Sequence, residues 1–401
     1  TTEIIQRAIT MARNTAGKFE EGKYGDAGQS NNINPIGLAE NSGVTKTETP
    51  TLSMRFALKA EVFKNFFLEV SYNNRASYTQ SVRPGKTYSV FNPNPATSSL
   101  AYVGEFGVID SALSYSNFRT NNNQYYATAD YSFKIAKVHN IKVQAGMQAF
   151  DNFNESVSAT SFGLQYPDRP YLVFATSPTQ PQVGGGASTN SLLGYFGRIN
   201  YDFQNKYLFE FNARYDGSSK FGATQNKQRA LFSGVSAGWI ISRENFMKAV
   251  PAINFAKMRL SYGTLGNQET SGGNFPFVAS LANNIDYYFN NVLTRGNALG
   301  NIQNINLTWE RSKQANIGLD LSLLNNKLSV TVDYYEKKII DMIVSLPLPS
   351  YAGYVGTTSF VPTNIGSMIN KGWEFSTTYR NKVGKLNYSI TANLADVKNK
   401  M

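Results

Sequence analysis

Any chemistry in this 401-residue chain has to be done without cysteine and with one histidine, His139. No thiolate is available as nucleophile or zinc ligand, and an imidazole triad or His-rich metal site has no second ring to draw on. Carboxylates, hydroxyls and aromatic rings remain. The pairs Glu20 with Glu21 and Asp333 with Glu336 have the residue type of a glycosidase acid and base, but nothing in the sequence fixes the separation that such a pair needs. His139 sits beside Asn140 at a tight turn, where a solvated surface histidine is expected. DGSSKFG, Asp216 to Gly222, follows a strand yet lacks the alternating oxygen ligands of a calcium loop. It reads as a β-turn in which Asp216 caps and Gly217 takes a positive φ. GGG at Gly184 to Gly186 and SYGTLGN from Ser261 to Asn267 lack both the Gly-Lys-Ser/Thr ending and the following helix of a phosphate loop. No catalytic residue, metal or cofactor is expected.

The aromatic residues offer a different chemistry, that of recognition. Tyr88, Phe91 and Tyr102 form one group, Tyr166 and Tyr171 a second, Phe275, Phe277, Tyr287, Tyr288 and Phe289 a third, and Tyr351, Tyr354 and Phe360 a fourth. All lie between strand-like segments. Ring faces stack on sugars and on apolar peptide side chains, so such loops at a barrel mouth would form a binding vestibule; equally, they would pack loops against each other or against a partner. Tyr166, Tyr171, Tyr287, Tyr288, Tyr351 and Tyr354 are the candidate ligand contacts.

Those loops must be held by a scaffold, and the scaffold reads as strands. Twelve stretches show period-2 patterning with β-branched or aromatic content: 52–62, 66–76, 122–135, 140–150, 191–203, 207–216, 230–241, 255–264, 307–323, 327–344, 367–380 and 386–396. Connections between them alternate. Short ones, VFKNF (Val62 to Phe66), AKVHN, FQNKY, SRENFMKAVPAIN, LNNK and NKVGK, take turns with long loops at 77–121, 151–190, 217–229, 265–306 and 345–366. In a compact soluble domain such loops count against the assignment, whereas an outer-membrane barrel has short turns at one end and long loops at the other.

The alternation within strands then has to be read inside out. In YLFEFNARYD, Tyr207, Phe209, Phe211, Ala213 and Tyr215 oppose Leu208, Glu210, Asn212, Arg214 and Asp216. A wet lumen tolerates charges of both signs, while Arg or Lys at the bilayer midplane costs roughly 2–4 kcal/mol. The apolar rows are therefore assigned to lipid. Composition agrees: 24 Tyr and 26 Phe bring aromatics to 13%, and charged residues are only 16%, below the roughly 25% usual for soluble domains. No run reaches the roughly 18 apolar residues of a membrane-spanning helix, so a spanning form must be a closed β-barrel. Tyr72, Tyr131, Tyr207 and Tyr262 near strand ends fit interfacial girdles.

The net charge of +11 is spread singly, with Lys64, Lys137, Lys206, Lys327, Lys382 and Lys385 at tight turns and no basic stripe, so no nucleic-acid partner is expected. The start TTEIIQRAIT has no initiator Met, basic region or apolar run, and reads as a mature or cut product or a piece of something longer.

YFGRINYDFQNKYLFEFNARYDGSSKFG, FSGVSAGWIISRENFM (Phe232 to Met247), MRLSYGTLGNQ (Met258 to Gln268), LTWERSKQANIGLDLSLLNNKLSVTVDYYEKKIIDMI (Leu307 to Ile343) and NIGSMINKGWEFSTTYR (Asn364 to Arg380) resemble the barrel of SusC-like (SusC/RagA) TonB-dependent outer-membrane transporters. The resemblance covers roughly 191–400, with HNIKVQAGMQAF (His139 to Phe150) as a weaker extension. It implies an all-β, antiparallel transmembrane β-barrel in the bacterial outer membrane, of about 22 strands with a plugged lumen, of which this chain supplies about twelve. On that reading residues 1–51 are an extracellular loop or strand-connecting segment, 52–401 the central part of the barrel, and the plug domain is not in this chain. The implied activity is TonB-dependent import of a bulky oligosaccharide or peptide, without enzymatic chemistry. The implied partners are a SusD-like surface lipoprotein, the TonB complex through the missing N-terminal part, and outer-membrane lipid and lipopolysaccharide. A passive porin-like channel and a soluble all-β binding protein are the alternatives.

Overall fold

The computed structural model describes residues 2–10, 17–20, 22–26, 34–41, 43–94, 96–97, 99–107, 112–166, 169–178, 180–222, 227–270, 273–279, 281–299, 302–347 and 360–401. In chain order these form α1 (Thr2–Thr10), β1 (Lys18–Glu20), β2 (Lys23–Gly25), α2 (Pro35–Asn41), β3 (Lys46–Glu48), β4 (Thr51–Phe63), β5 (Phe66–Pro84), β6 (Thr87–Asn94), β7 (Ser99–Gly107), β8 (Leu113–Ile135), β9 (His139–Ser161) and β10 (Gln182–Phe203). There follow β11 (Tyr207–Ser218), β12 (Arg229–Trp239), β13 (Ile253–Asn267), β14 (Leu281–Phe289), β15 (Val292–Leu299), β16 (Glu310–Leu323), β17 (Leu328–Pro347), β18 (Phe360–Val383) and β19 (Leu386–Lys400). All twelve strand-like stretches of the sequence are strands. Most run further than their patterning, β8 and β9 by about ten residues at their loop ends.

Among the described residues one sheet runs β19-β18-β17-β16-β13-β12-β11-β10-β9-β8-β5-β3, with β4 also along β5. The hairpin β14-β15 stands outside it. Two compact units divide the chain: residues 1–54, 74–122 and 153–188 form one, and 55–73, 123–152 and 189–401 the other.

In the larger unit the strands simply go up and down. Tyr207 faces Phe203 on β10 and Trp239 on β12, and the pairing continues without a shift along β11. The connections 64–65, 136–138, 204–206, 240–252, 324–327 and 384–385 are short and all lie at one end of the strands. The left-handed backbone of these turns falls on Asn65 (φ 64°), Asn205 (53°), Asn325 (56°), Asn326 (64°) and Gly384 (59°), residue types that bear this conformation at low cost, and also on Ala136 (49°), Lys137 (60°), Gln204 (54°) and Leu324 (55°). β11 shows how the faces divide. Tyr207, Phe209, Phe211 and Tyr215 are 38–46% exposed, whereas Leu208, Glu210, Asn212 and Arg214 on the other face are half-buried. Apolar residues are the outer row, the reverse of a water-soluble sheet.

The smaller unit has its own core of Tyr24, Leu38, Tyr88 and Val90, built on a four-stranded sheet β1-β2-β6-β7. β2 and β6 run parallel, with Tyr24 opposite Val90. Buried Asn34 ties the unit together: its Oδ1 accepts from the backbone N–H of Ile36 and Gly37 at the start of α2, while its Nδ2 donates to Gly17 O and Gly25 O. That satisfies two otherwise unpaired helix donors with one side chain.

Candidate functional site

The polar row of the larger unit is a ladder of ion pairs. Arg198 lies 3.5 Å from Glu210 across β10 and β11, and Lys142 lies 3.5 Å from Asp130, which also accepts from Gln144 Nε2. Arg214 Nε donates to both carboxylate oxygens of Asp216 at 2.6 and 2.8 Å, with its guanidinium over the Phe196 ring at 5.8 Å. Lys371 and Glu336, 2.8 Å apart, pair instead on the apolar row, beside Trp373 and Tyr334. The densest group is Arg259, whose Nε and Nη2 hold Asp320 at 2.7 and 3.0 Å while Nη2 also reaches Asp333 at 3.1 Å. Charges on this wall largely satisfy one another, as a water-bathed lumen face requires.

This row lines a hollow of about 990 Å³, with Lys134, Lys142, Asn200, Asp202, Glu210, Lys257 and Arg259 among its walls. The hollow is mixed in charge and large enough for a bulky polar occupant.

At the short-turn end, Glu244 gathers three donors: Lys206 Nζ at 3.0 Å, Tyr207 Oη at 2.7 Å and Trp239 Nε1 at 3.2 Å. Hydrogen bonds from Tyr207, then Lys206 and Trp239, hold its carboxyl below the ordinary carboxylate value. His139 is not a freely solvated histidine. It is half-buried, its Nδ1 is 2.8 Å from Tyr201 Oη, and its ring packs 4.9 Å from Phe203.

At the loop end of the same unit, Phe221, Ala230, Phe232, Leu307 and Trp309 form a buried cluster. DGSSKFG is therefore no exposed turn. Asp216 and Gly217 are still within β11, Gly217 does not take a positive φ, and Phe221 is fully buried. Buried Lys220 reaches out to Glu269 at 2.8 Å. Asn364 staples this end: it accepts from Thr308 N and donates to Thr308 O and Asp341 O. The stretch FGATQNKQRALF is half polar and hid this packing, because the partners of Phe221 and Phe232, Leu307 and Trp309, lie some 80 residues away.

The candidate aromatics are divided between the two units. Tyr166 and Tyr171, both more than half exposed, flank Phe174 edge-on at 5.6 and 6.2 Å in the smaller unit. Tyr287 and Tyr288 lie on β14 in the larger unit, 65% and 66% exposed. As neighbours in a strand they point to opposite faces, with Tyr287 packed 4.8 Å from Phe289. Tyr351 and Tyr354 lie outside the described residues. The sequence reading overlooked Glu244, whose SREN segment resembles any polar turn until Tyr207 and Trp239 are seen beside it.

Residues 10–400 match the family described as TonB dependent receptor-like, beta-barrel. The chain belongs to that family. It is 31% identical over 371 residues to TonB-dependent receptor P3 of Formosa agariphila, covering 92% of this chain and 34% of that protein. Over 222 residues it is 35% identical to TonB-dependent receptor SusC of Bacteroides thetaiotaomicron, covering 52% of this chain and 21% of SusC. Among solved structures, that of the RagAB peptide transporter shares the fold with a TM-score of 0.76 at 23% identity, over 92% of this chain and 38% of that one. The chain thus spans about a third of the length of TonB-dependent receptor P3. Family and fold place these strands in a bacterial outer-membrane β-barrel, and the exposed apolar rows are its lipid-facing surface.

Proposed function

We propose that the chain is part of the wall and mouth of an energy-coupled importer that moves a bulky oligosaccharide or peptide across the outer membrane. The observation that carries this reading is the two-faced sheet: an exposed apolar row on one side and a self-paired charged row lining a hollow on the other. Such a lumen gives a large polar solute a wetted path without a strong field of one sign to trap it. In the full receptor a plug fills that lumen and the TonB complex draws on it, while a SusD-like lipoprotein covers the loop end. Tyr166, Tyr171, Tyr287 and Tyr288, whose rings are exposed, are the proposed contacts for ligand, since such rings suit sugar faces and apolar side chains; Tyr351 and Tyr354, outside the described residues, are proposed with them from the sequence alone.

Growth of the source bacterium on an oligosaccharide or a peptide mixture as sole carbon source tests this, comparing intact, receptor-deleted and TonB-deleted strains. Loss of growth on one substrate class in both deletions is the expected result. Uptake that needs the receptor but survives TonB deletion would make it a passive channel instead.

A further inference from the structure

The six short connections of the larger unit hold Lys64, Lys137, Lys206, Arg243, Lys248, Lys327 and Lys385, against one carboxylate, Glu244. Lys382 adjoins the last of them, and Glu61 and Asp202 adjoin the first and third, where their carboxylates accept from the backbone N–H of Asn65 and Asn205. Glu244 is already committed to Lys206, and Arg243 donates to Asn205 O. The ammonium groups of Lys64, Lys137, Lys248, Lys327, Lys382 and Lys385 are exposed and have no carboxylate partner among the described residues.

Immediately beneath these lysines runs a belt of rings. Phe63 stacks on Phe66 at 4.6 Å and meets Tyr131 edge-on at 5.6 Å; Tyr131 stacks on Phe133. His139 packs on Phe203, Phe203 on Tyr207, and Tyr207 on Trp239. Tyr379 and Tyr388 continue the pattern at the last hairpin. Amphipathic rings mark where strands leave the hydrocarbon, and lysines just beyond them reach the headgroup level.

We propose that the short-turn end is a collar that binds anionic phospholipid, phosphatidylglycerol in its simplest form, with headgroup phosphates on the unpaired lysines and acyl chains against the rings. Two features favour a lipid layer over a folded acidic partner. The cations are spread about one per hairpin, roughly 10 Å apart at two strand spacings, rather than clustered. They also follow the line of the aromatic belt, the level at which a leaflet's phosphates stand.

The test uses the full-length receptor in nanodiscs of phosphatidylethanolamine with and without phosphatidylglycerol, counting retained lipids by native mass spectrometry. The native receptor retains phosphatidylglycerol in preference to phosphatidylethanolamine. The combined variant Lys64→Gln, Lys137→Gln, Lys327→Gln, Lys382→Gln and Lys385→Gln loses that preference by tenfold or more. The matching Lys→Arg variant keeps it, showing that charge and not folding is read. Lys46→Gln with Lys227→Gln, away from the collar, leaves it intact. An unchanged preference in the glutamine variant overturns the proposal. So does a variant that keeps its lipids but no longer sediments with peptidoglycan, which would make the cell wall the partner.

Discussion

Arg259 on β13 reaches across the whole of β16 to bond Asp333 on β17, with Nη2 to Oδ2 at 3.1 Å. Arg259 stands opposite Gly318, and Gly318 opposite Asp333, so the guanidinium lies over a residue without a side chain. A Cβ at position 318 would come within 2.7 Å of the guanidinium carbon and 2.5 Å of Asp333 Oδ1. Glycine weakens a strand interior in general, so its presence here answers to the close approach. Gly318→Val is expected to break the contact and lower the stability of the folded barrel by about 1–3 kcal/mol, since charged hydrogen bonds are lost and overpacking is added. Gly318→Ala should cost less. Both are measured by urea unfolding of the refolded receptor in detergent, and equal stability of Gly318→Val and native protein would contradict the relationship.

The inverted faces give a second expectation. Phe211 is in the exposed apolar row and its neighbour Asn212 in the polar one. Phe211→Lys places a charge toward lipid at roughly 2–4 kcal/mol, and should sharply reduce heat-modifiable, folded receptor in outer-membrane fractions. Asn212→Lys, one residue away, should assemble normally beside Glu210. Normal assembly of Phe211→Lys with loss of Asn212→Lys would mean that the two faces had been exchanged, and equal assembly of both would remove the face assignment.

These two cases mark what a sequence discloses of such a wall. Alternation along Tyr207–Asp216 is local information, and with the parity of short and long connections it is enough to place twelve strands and their lipid face. The contacts over Gly318 are not local: they depend on three strands in register, and a glycine in a strand reads first as a bulge or weak point. Residues 1–51 were harder still. The parallel pairing of Tyr24 with Val90 joins segments 66 residues apart, too short in each strand to leave a period. Asn34, which organises that unit, is one asparagine among many until Gly17, Gly25 and α2 surround it. His139 and Glu244 likewise gain their roles only from the strands beside them.

Glu244 supplies a pH-dependent prediction. Its carboxyl lies below the ordinary value of 4.5, mainly through the bond from Tyr207 and then those from Lys206 and Trp239. A depressed carboxylate contributes stability that is fully present above the unfolded value and is lost as pH falls through the folded one. Native receptor should therefore hold its melting temperature from neutral pH down to about pH 5 and lose part of it below. Glu244→Gln should melt lower at neutral pH and show a shallower acid decline. Thermal melts followed by intrinsic Trp fluorescence across that range decide it; parallel curves for the two proteins would exclude Glu244 as the titrating group.

The β14-β15 hairpin offers the sharpest test of ligand contact, because Tyr287 and Tyr288 can be removed without touching a packed core. Both are about two-thirds exposed, and the hairpin pairs only with itself among the described strands. Their rings project to opposite faces, so a ligand on one side would feel one substitution and not the other. Tyr287→Ala also uncovers Phe289, which it packs at 4.8 Å. A stacked ring of this kind contributes about 0.5–1.5 kcal/mol, so loss of the contacting tyrosine should weaken binding by roughly 2- to 12-fold. Folded receptor in the outer membrane should stay at native levels in both variants. Titration calorimetry with the substrate identified by growth then reads the result directly. Unchanged affinity in the Tyr287→Ala, Tyr288→Ala double variant would remove the hairpin from the ligand site and leave it as a surface for a protein partner at the loop end.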